Sequence, residues 1–218
     1  MTIASHQQYF EPGSIDISFF HGHGIEEPNW LSVAVKKRRS EFLWGRYCAA
    51  MALKRCGSVE THVAVGAHRN PIWPASYCGS ITHTAGFAAA MVGKTSHYQS
   101  IGIDAEKIVS KSTRKIEKFV YLPGEREQLM VPEKLSETRI LTAIFSAKES
   151  LYKALFPIVG KFFGFSSAKV DQMTLDHFRI TLQQNLPPFS IGDSFLGRYS
   201  MTDHILMSTV LIKNDHPK

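Results

Sequence analysis

The spacing of apolar positions changes period along the chain, and each change predicts an element. From Lys36 to Arg55 (KKRRSEFLWGRYCAAMALKR) helix formers run without a proline and Gly57 supplies a stop, so the pattern predicts a long helix with Leu43, Tyr47, Ala50 and Met51 on its core face. Ahead of it, residues 1–35 read as loop-rich, with short apolar runs at Ile15 to Phe20 and Leu31 to Val35 that fit strands. After it come a short strand in THVAVG, a proline-punctuated turn in HRNPIWPASYCGS, and two strands, FAAAMVG and SIGIDAEKI, joined by a polar connection at Lys94 to Ser100. Alternate side chains of a strand share a face, so Ile101, Ile103 and Ala105 point one way and Gly102, Asp104 and Glu106 the other.

The second half predicts a helix over 111–131 broken near Pro123-Gly124, and a long helix from Ser136 to Phe156 that stops before Pro157. In the latter, Ile144, Ala147, Leu151, Ala154 and Leu155 form the apolar stripe, and Ser146, Glu149, Ser150 and Lys153 share the polar face. Three strands follow, near Ala168 to Thr174, Phe178 to Leu182 and Ile205 to Lys213, with NLPPFSIGDSFLGR as the loop between the last two. The sequence is that of a mixed α and β chain.

Composition narrows the class. The chain has 218 residues, 44% of them hydrophobic, enough for a real core, and no apolar run approaches the ~20 residues of a membrane-spanning helix. The opening MTIASHQQYFEPGSID lacks a basic region followed by an apolar one, which argues against a secretory signal and for the cytoplasm. Three cysteines, with no Cys-x-x-Cys, fit neither a disulfide framework nor a zinc ribbon. Lys and Arg outnumber Asp and Glu 25 to 19, a net charge of +6 that favours anionic partners without choosing among nucleic acid, phosphorylated small molecules, acidic proteins and anionic lipid.

Several residue groups carry possible chemistry, each beside a plainer reading. Asp104 and Glu106 on one strand face repel unless a cation lies between them, and oxygen ligands at this spacing suit Mg²⁺; alone, such a pair is more often a solvated edge. Glu149 and Lys153, four apart, commonly make only a surface ion pair. Lys148 falls beside the apolar stripe, where its ammonium must either snorkel or meet an anion. GSITHTAG sets Ser80, Thr82 and His83 together as phosphate donors or as a hydrogen-bonded turn. Arg39 and Arg46, seven apart, share a helix face with Arg38 and Lys36 close by, as solvated surface or as the grip on a terminal phosphate. His21 and His23 in HGHG have no further ligands at a metal-site spacing.

Taken together, GSITH, GIDAE and FSAKESLYK stand in the order and spacing of a known family. With KKRRSEFLWGR, HRNPIWP, Phe156-Pro157, FFGF and FLGR, the chain resembles the phosphopantetheinyl transferases of the surfactin-synthetase type, in particular the subgroup of enterobactin synthetase component D and related actinobacterial enzymes, from about Arg38 to Val210. The resemblance implies transfer of the 4′-phosphopantetheine arm of coenzyme A to a serine of an apo carrier protein (peptidyl, aryl or acyl, in siderophore or other nonribosomal peptide synthesis), releasing adenosine 3′,5′-bisphosphate. It implies that Asp104, Glu106 and Glu149 hold Mg²⁺ (Mn²⁺ being the alternative), Glu106 directly or through water, and that Glu149 takes the serine proton. Lys153 and Lys148 would stabilise the pyrophosphate charge, while Arg38, Arg46, Ser80, Thr82 and His83 would grip the 3′-phosphate and its neighbours. Where close relatives have lysine-arginine this chain has His68-Arg69, which leaves Arg69 to make that contact.

The implied fold is α+β, two similar halves related by a pseudo-twofold, residues 1–103 with the phosphate-binding helix and turn and 104–218 with the metal site and catalytic helix, so that a monomer builds one site. The resemblance leaves peripheral membrane association open. The competing class is a basic nucleic-acid-binding protein, for which no helix-turn-helix, zinc-finger, OB or RRM signature is present. A noncatalytic carrier binder is the other rival, and the retained acidic and lysine positions argue against it.

Overall fold

A computed structural model describes residues 2–84, 86–109, 116–132 and 135–214. The chain is mixed α+β and divides into two compact units, Met1–Ile101 with Ile212–Lys218, and Gly102–Leu211.

In the N-terminal unit β1 (Ile3–Tyr9), β4 (Tyr77–Thr84) and β5 (Phe87–Lys94) form an antiparallel sheet in the order β1-β5-β4. Lying on this sheet is α2 (Lys36–Cys56), which Gly57 ends in the left-handed conformation at φ 90°, its amide returning to the last turn. The buried face of α2 is built mostly from small residues, Cys48, Ala49, Ala52 and Cys56, with Leu53, against Ala88, Ala90 and Val92 of β5. Tyr47 and Met51, expected in the core, are half-buried instead. Tyr47 joins an aromatic cluster with Phe19, His23 and Trp44. Ile15 to Phe20 is not a strand: Asp16 caps a short helix α1 (Ile17–Gly22) by accepting the Phe19 amide. Leu31 to Val35 is likewise not a strand: Leu31 ends a 3₁₀ turn that begins at Asn29, and Val35 leads into α2. The first strand is β1, which the pattern did not predict. It is an edge strand with only Ala4 buried, so its sequence is polar. A two-stranded ribbon of β2 (Ala64–Val65) and β3 (Pro71–Ile72) carries the proline-rich turn.

The sheet of the C-terminal unit has the order β6-β10-β9-β8-β7, with β6 (Tyr98–Lys107), β7 (Ala168–Met173), β8 (His177–Leu182), β9 (Ser194–Met201) and β10 (Ile205–Lys213). The expected loop NLPPFSIGDSFLGR thus runs into a strand, β9, which begins at Ser194. Gly197 hides it in the sequence, for it leaves room for the Phe178 ring, which a Cβ there would meet at 2.0 Å. Two short helices, α3 (Glu117–Val120) and α4 (Glu125–Gln128), flank Pro123-Gly124. The rest of the helix expected over 111–131 lies partly outside the described residues.

The long helix α5 (Glu137–Val159) is capped by Ser136 and runs on through Pro157 to Gly160. Proline in the last turn removes one intrahelical hydrogen bond without ending the helix. The stripe from Ile144 to Leu155 is buried as expected, but the opposite face is covered too. Ser146 and Ser150 are fully buried, and the Ser146 and Ser208 hydroxyls lie 2.8 Å apart, fastening α5 to β10.

Candidate active site

Gly102 decides where the charged groups of the C-terminal unit stand. An added Cβ there would lie 1.9 Å from the Ser150 carbonyl oxygen and 2.6 Å from the Ala154 amide, so β6 approaches α5 backbone to backbone. Two residues along the strand and three along the helix, this contact brings Lys153 Nζ to 2.7 Å from Asp104 Oδ1. Asp104 is 3% exposed.

Glu106 and Glu149 are half-buried and feel the same field. Burial, then the Asp104 charge, with Glu149 adding to it, pushes the Glu106 carboxyl up to about 7, and Lys153 opposes the shift. Burial and Asp104 raise Glu149 as well. The structure therefore gathers four residues singled out from the sequence, Asp104, Glu106, Glu149 and Lys153, into one electrostatically coupled group. Among the described residues no three His, Cys, Asp or Glu side chains already form a metal cage. The donor chemistry nonetheless fits a small hard cation: oxygen ligands only, on carboxylates whose negative charges destabilise one another.

The N-terminal unit sorts the remaining residues. On β4, His83 and Ile81 face α2, and Ser80 and Thr82 occupy the other side of the strand, both buried. Arg38 Nη1 lies 3.0 Å from His83 Nε2. Arginine can only donate, so Nε2 accepts and Nδ1 carries its proton towards Glu41 Oε2, 3.7 Å away. Arg39 is drawn off the expected arginine face by a two-pronged pair with Glu27. Arg46 is not a surface cation: it is 8% exposed, stacks 5.1 Å over Phe42, and Nη1 is buried with no hydrogen-bond partner. Burial lowers it to about 10, which leaves it charged at neutral pH. It lines a cavity of about 380 Å³ with Glu26, Glu27, Phe42 and His62. Arg69 adopts a positive φ of 61° and lays its guanidinium 5.0 Å from the Trp30 ring.

Lys148 does not join the acidic group. Its ammonium is buried and donates to Glu125 at 2.7 Å and to the Val120 carbonyl at 2.8 Å. Burial lowers its pKa and Glu125 opposes that shift. Of the two outcomes the sequence allowed, this lysine meets an anion. Glu125 and Glu41 were not singled out from the sequence. For Glu41 a signal existed, its i,i+3 relation to Arg38 on a predicted helix; for Glu125 none did.

Family models match segments of both units. The model described as the 4′-phosphopantetheinyl transferase N-terminal domain matches residues 26–93, and that of the 4′-phosphopantetheinyl transferase superfamily matches residues 100–202. This chain belongs to the 4′-phosphopantetheinyl transferase superfamily, and it is a transferase. It is 32% identical to 4′-phosphopantetheinyl transferase Npt of Nocardia iowensis, over 86% of this chain and 88% of that protein. It is 37% identical to enterobactin synthase component D of Salmonella austin, over 80% of this chain and 72% of that one. It is 31% identical to 4′-phosphopantetheinyl transferase Svp of Streptomyces mobaraensis, over 86% and 77%. Among the described residues no helix is long and apolar enough to cross a membrane.

Proposed function

We propose that this chain moves the phosphopantetheine arm of coenzyme A onto a serine of an apo carrier protein in a Mg²⁺-dependent step. The observation that carries the reading is the coupled group in which Glu106 and Glu149 share the field of buried Asp104 while Lys153 lies against it. Asp104, Glu106 and Glu149 would hold the ion. When bound, Mg²⁺ supplies charge neutralisation at a pyrophosphate.

The chain's own groups account for the rest. Glu149, whose pKa is raised by burial and then by Asp104, is a stronger base than an ordinary carboxylate and is suited to accept the serine proton. The serine oxygen then bonds to the phosphorus bearing the pantetheine arm, the bridging P–O bond breaks, and adenosine 3′,5′-bisphosphate leaves. Lys153, already held against Asp104, is the cation for the charge that develops on the leaving group. In the N-terminal unit, Arg38, held against His83, and the buried Arg46 are donors for the 3′-phosphate and its neighbours, with Arg69 as a further contact, while Ser80 and Thr82 on the other side of β4 would have to act from within the fold. Similarity to enterobactin synthase component D supports peptidyl or aryl carriers of siderophore synthesis as the acceptor class.

The test is to incubate the protein with coenzyme A, Mg²⁺ and an apo carrier domain and weigh the carrier. A phosphopantetheine increment that disappears in excess chelator is expected. An unchanged mass, or full transfer in chelator, sinks the reading or its metal.

A further inference from the structure

Lys148 and Lys153 are five residues apart on α5, so their side chains leave the helix about 140° apart and serve different surroundings. Lys153 reaches Asp104 and keeps part of its side chain in solvent. Lys148 is enclosed, and so is its partner, for Glu125 is 0% exposed. Every oxygen of Glu125 is engaged. Oε2 accepts the Lys148 ammonium and the Leu122 amide, both at 2.7 Å, and Oε1 accepts the Val170 amide at 2.8 Å. Val170 lies on β7, the last strand of its sheet, where an amide without a ladder partner needs an acceptor from elsewhere. With the bond from Lys148 to the Val120 carbonyl, one buried pair ties together α5, the end of α3, the turn into α4 and the sheet edge.

We propose that Lys148 is a positioning residue for Glu149, the next residue along the helix, and not a contact for the coenzyme A phosphates. To reach a phosphate, its ammonium would have to leave Glu125 as a buried carboxylate without a cation, among the costliest losses a folded chain can suffer. Held as it is, the pair fixes the rotation of the α5 turn that presents Glu149, and small displacements of a reacting group cost rate steeply. This assignment rests on the transferase reading above, because it concerns what Glu149 does there.

The experiment compares wild type, Lys148→Met, Glu125→Gln and the double variant, using full-length protein, coenzyme A, Mg²⁺ and an apo carrier, at a temperature where all four are folded by circular dichroism. Coenzyme A affinity is measured by calorimetry and kcat by carrier mass. Both single variants are expected to lose roughly tenfold or more in kcat, with coenzyme A affinity within about twofold of wild type. The double variant recovers most of the kcat, because neither charge is left alone. Glu125→Gln carries the test if Lys148→Met does not fold, since it disturbs the pair without touching the lysine. Two results overturn the assignment. Coenzyme A affinity falling tenfold or more when Lys148 is replaced, singly or with Glu125, makes it a ligand. Variants that melt earlier but turn over at the wild-type rate reduce the pair to a fold-holding role. Failure of the transferase reading has its own signature, a wild-type protein that leaves the carrier mass unchanged.

Discussion

In the N-terminal unit α2 meets its sheet at Gly45, where an added Cβ would stand 2.9 Å from the Ile81 Cγ2 methyl; in the C-terminal unit β6 meets α5 at Gly102, where it would stand 1.9 Å from a carbonyl oxygen. A methyl can turn aside, and a backbone carbonyl inside a helix cannot. The charges follow the same division. Arg39, Arg38 and Arg69 of the first unit lie against Glu27, His83 and Trp30, partners near the surface that can be exchanged for a ligand. In the second unit the half-buried Glu106 and Glu149 stand beside buried Asp104, and burial together with the Asp104 charge raises the pKa of both. On the transferase reading proposed above, the first unit would supply cations to a ligand and the second would hold its charged groups against helix backbone.

The acidic group gives the largest effect. Asp104→Ala and Glu149→Ala should each lower transfer by roughly a thousandfold or more with the fold retained, since charge stabilisation at a reacting phosphate is commonly worth several kcal/mol. Carrier mass against time measures the rate, and circular dichroism checks the fold. A folded variant with wild-type turnover removes that carboxylate from the chemistry.

The two glycines test the packing contrast directly. Gly102→Ala should cost about 4 kcal/mol or more, because the new atom collides with helix backbone. Gly45→Ala meets a side chain and gains about 1 kcal/mol of helix propensity, so its net change should stay within about 1 kcal/mol. Urea midpoints give both numbers, and equal losses would abolish the distinction between the units.

Lys153 and Arg46 contrast the units in kinetics. Lys153→Ala should lower kcat roughly a hundredfold and leave coenzyme A affinity nearly unchanged, the pattern of a group that matters most when charge moves. Arg46→Ala should do the reverse, weakening coenzyme A by about ten- to a hundredfold, the equivalent of ~1.5 to 3 kcal/mol for a charged hydrogen bond, and dephospho-coenzyme A hardly at all. Equal losses for the two ligands would move Arg46 away from the 3′-phosphate.

How much of this the sequence disclosed depends on the distance over which each feature is set. The helices α2 and α5 and the strand β6 were legible because their periods are local, and so was the facing of Asp104 with Glu106. Edge strand β1 and the glycine-bearing β9 were not, since their register comes from neighbours far along the chain. The face of α2 was read correctly at Leu43 and Ala50, which are buried, and misread at Tyr47 and Met51, because alanine and cysteine fill its contact with β5. At the site, the identities of the acidic residues were visible and their partners were not. Lys148 finds Glu125, 23 positions away, and no local pattern announces such a pair. The implied division at residue 103 came from family likeness and not from periodicity.

The smallest expected effect sets the two units against each other in pH. Glu106 has its carboxyl raised from 4.5 to about 7 by burial and then Asp104, with Glu149 adding and Lys153 opposing. Between these values the folded protein binds more protons than the unfolded chain, so this group makes stability fall as pH rises through that window. The full shift corresponds to about 3 kcal/mol, and partial exposure reduces it to roughly 1 to 2. His6 of the first unit acts oppositely. Both its ring nitrogens are buried without hydrogen-bond partners, and burial, then Arg55, lowers its pKa below 6.5. There the unfolded chain binds the extra proton, so stability rises with pH up to about that value. Urea unfolding at a series of pH values from 5 to 8 separates the two. Glu106→Gln should flatten the decline towards pH 7, and His6→Gln should remove the rise below 6.5 and leave the decline intact. An unchanged profile in Glu106→Gln would mean that the carboxylates of the second unit do not share one field.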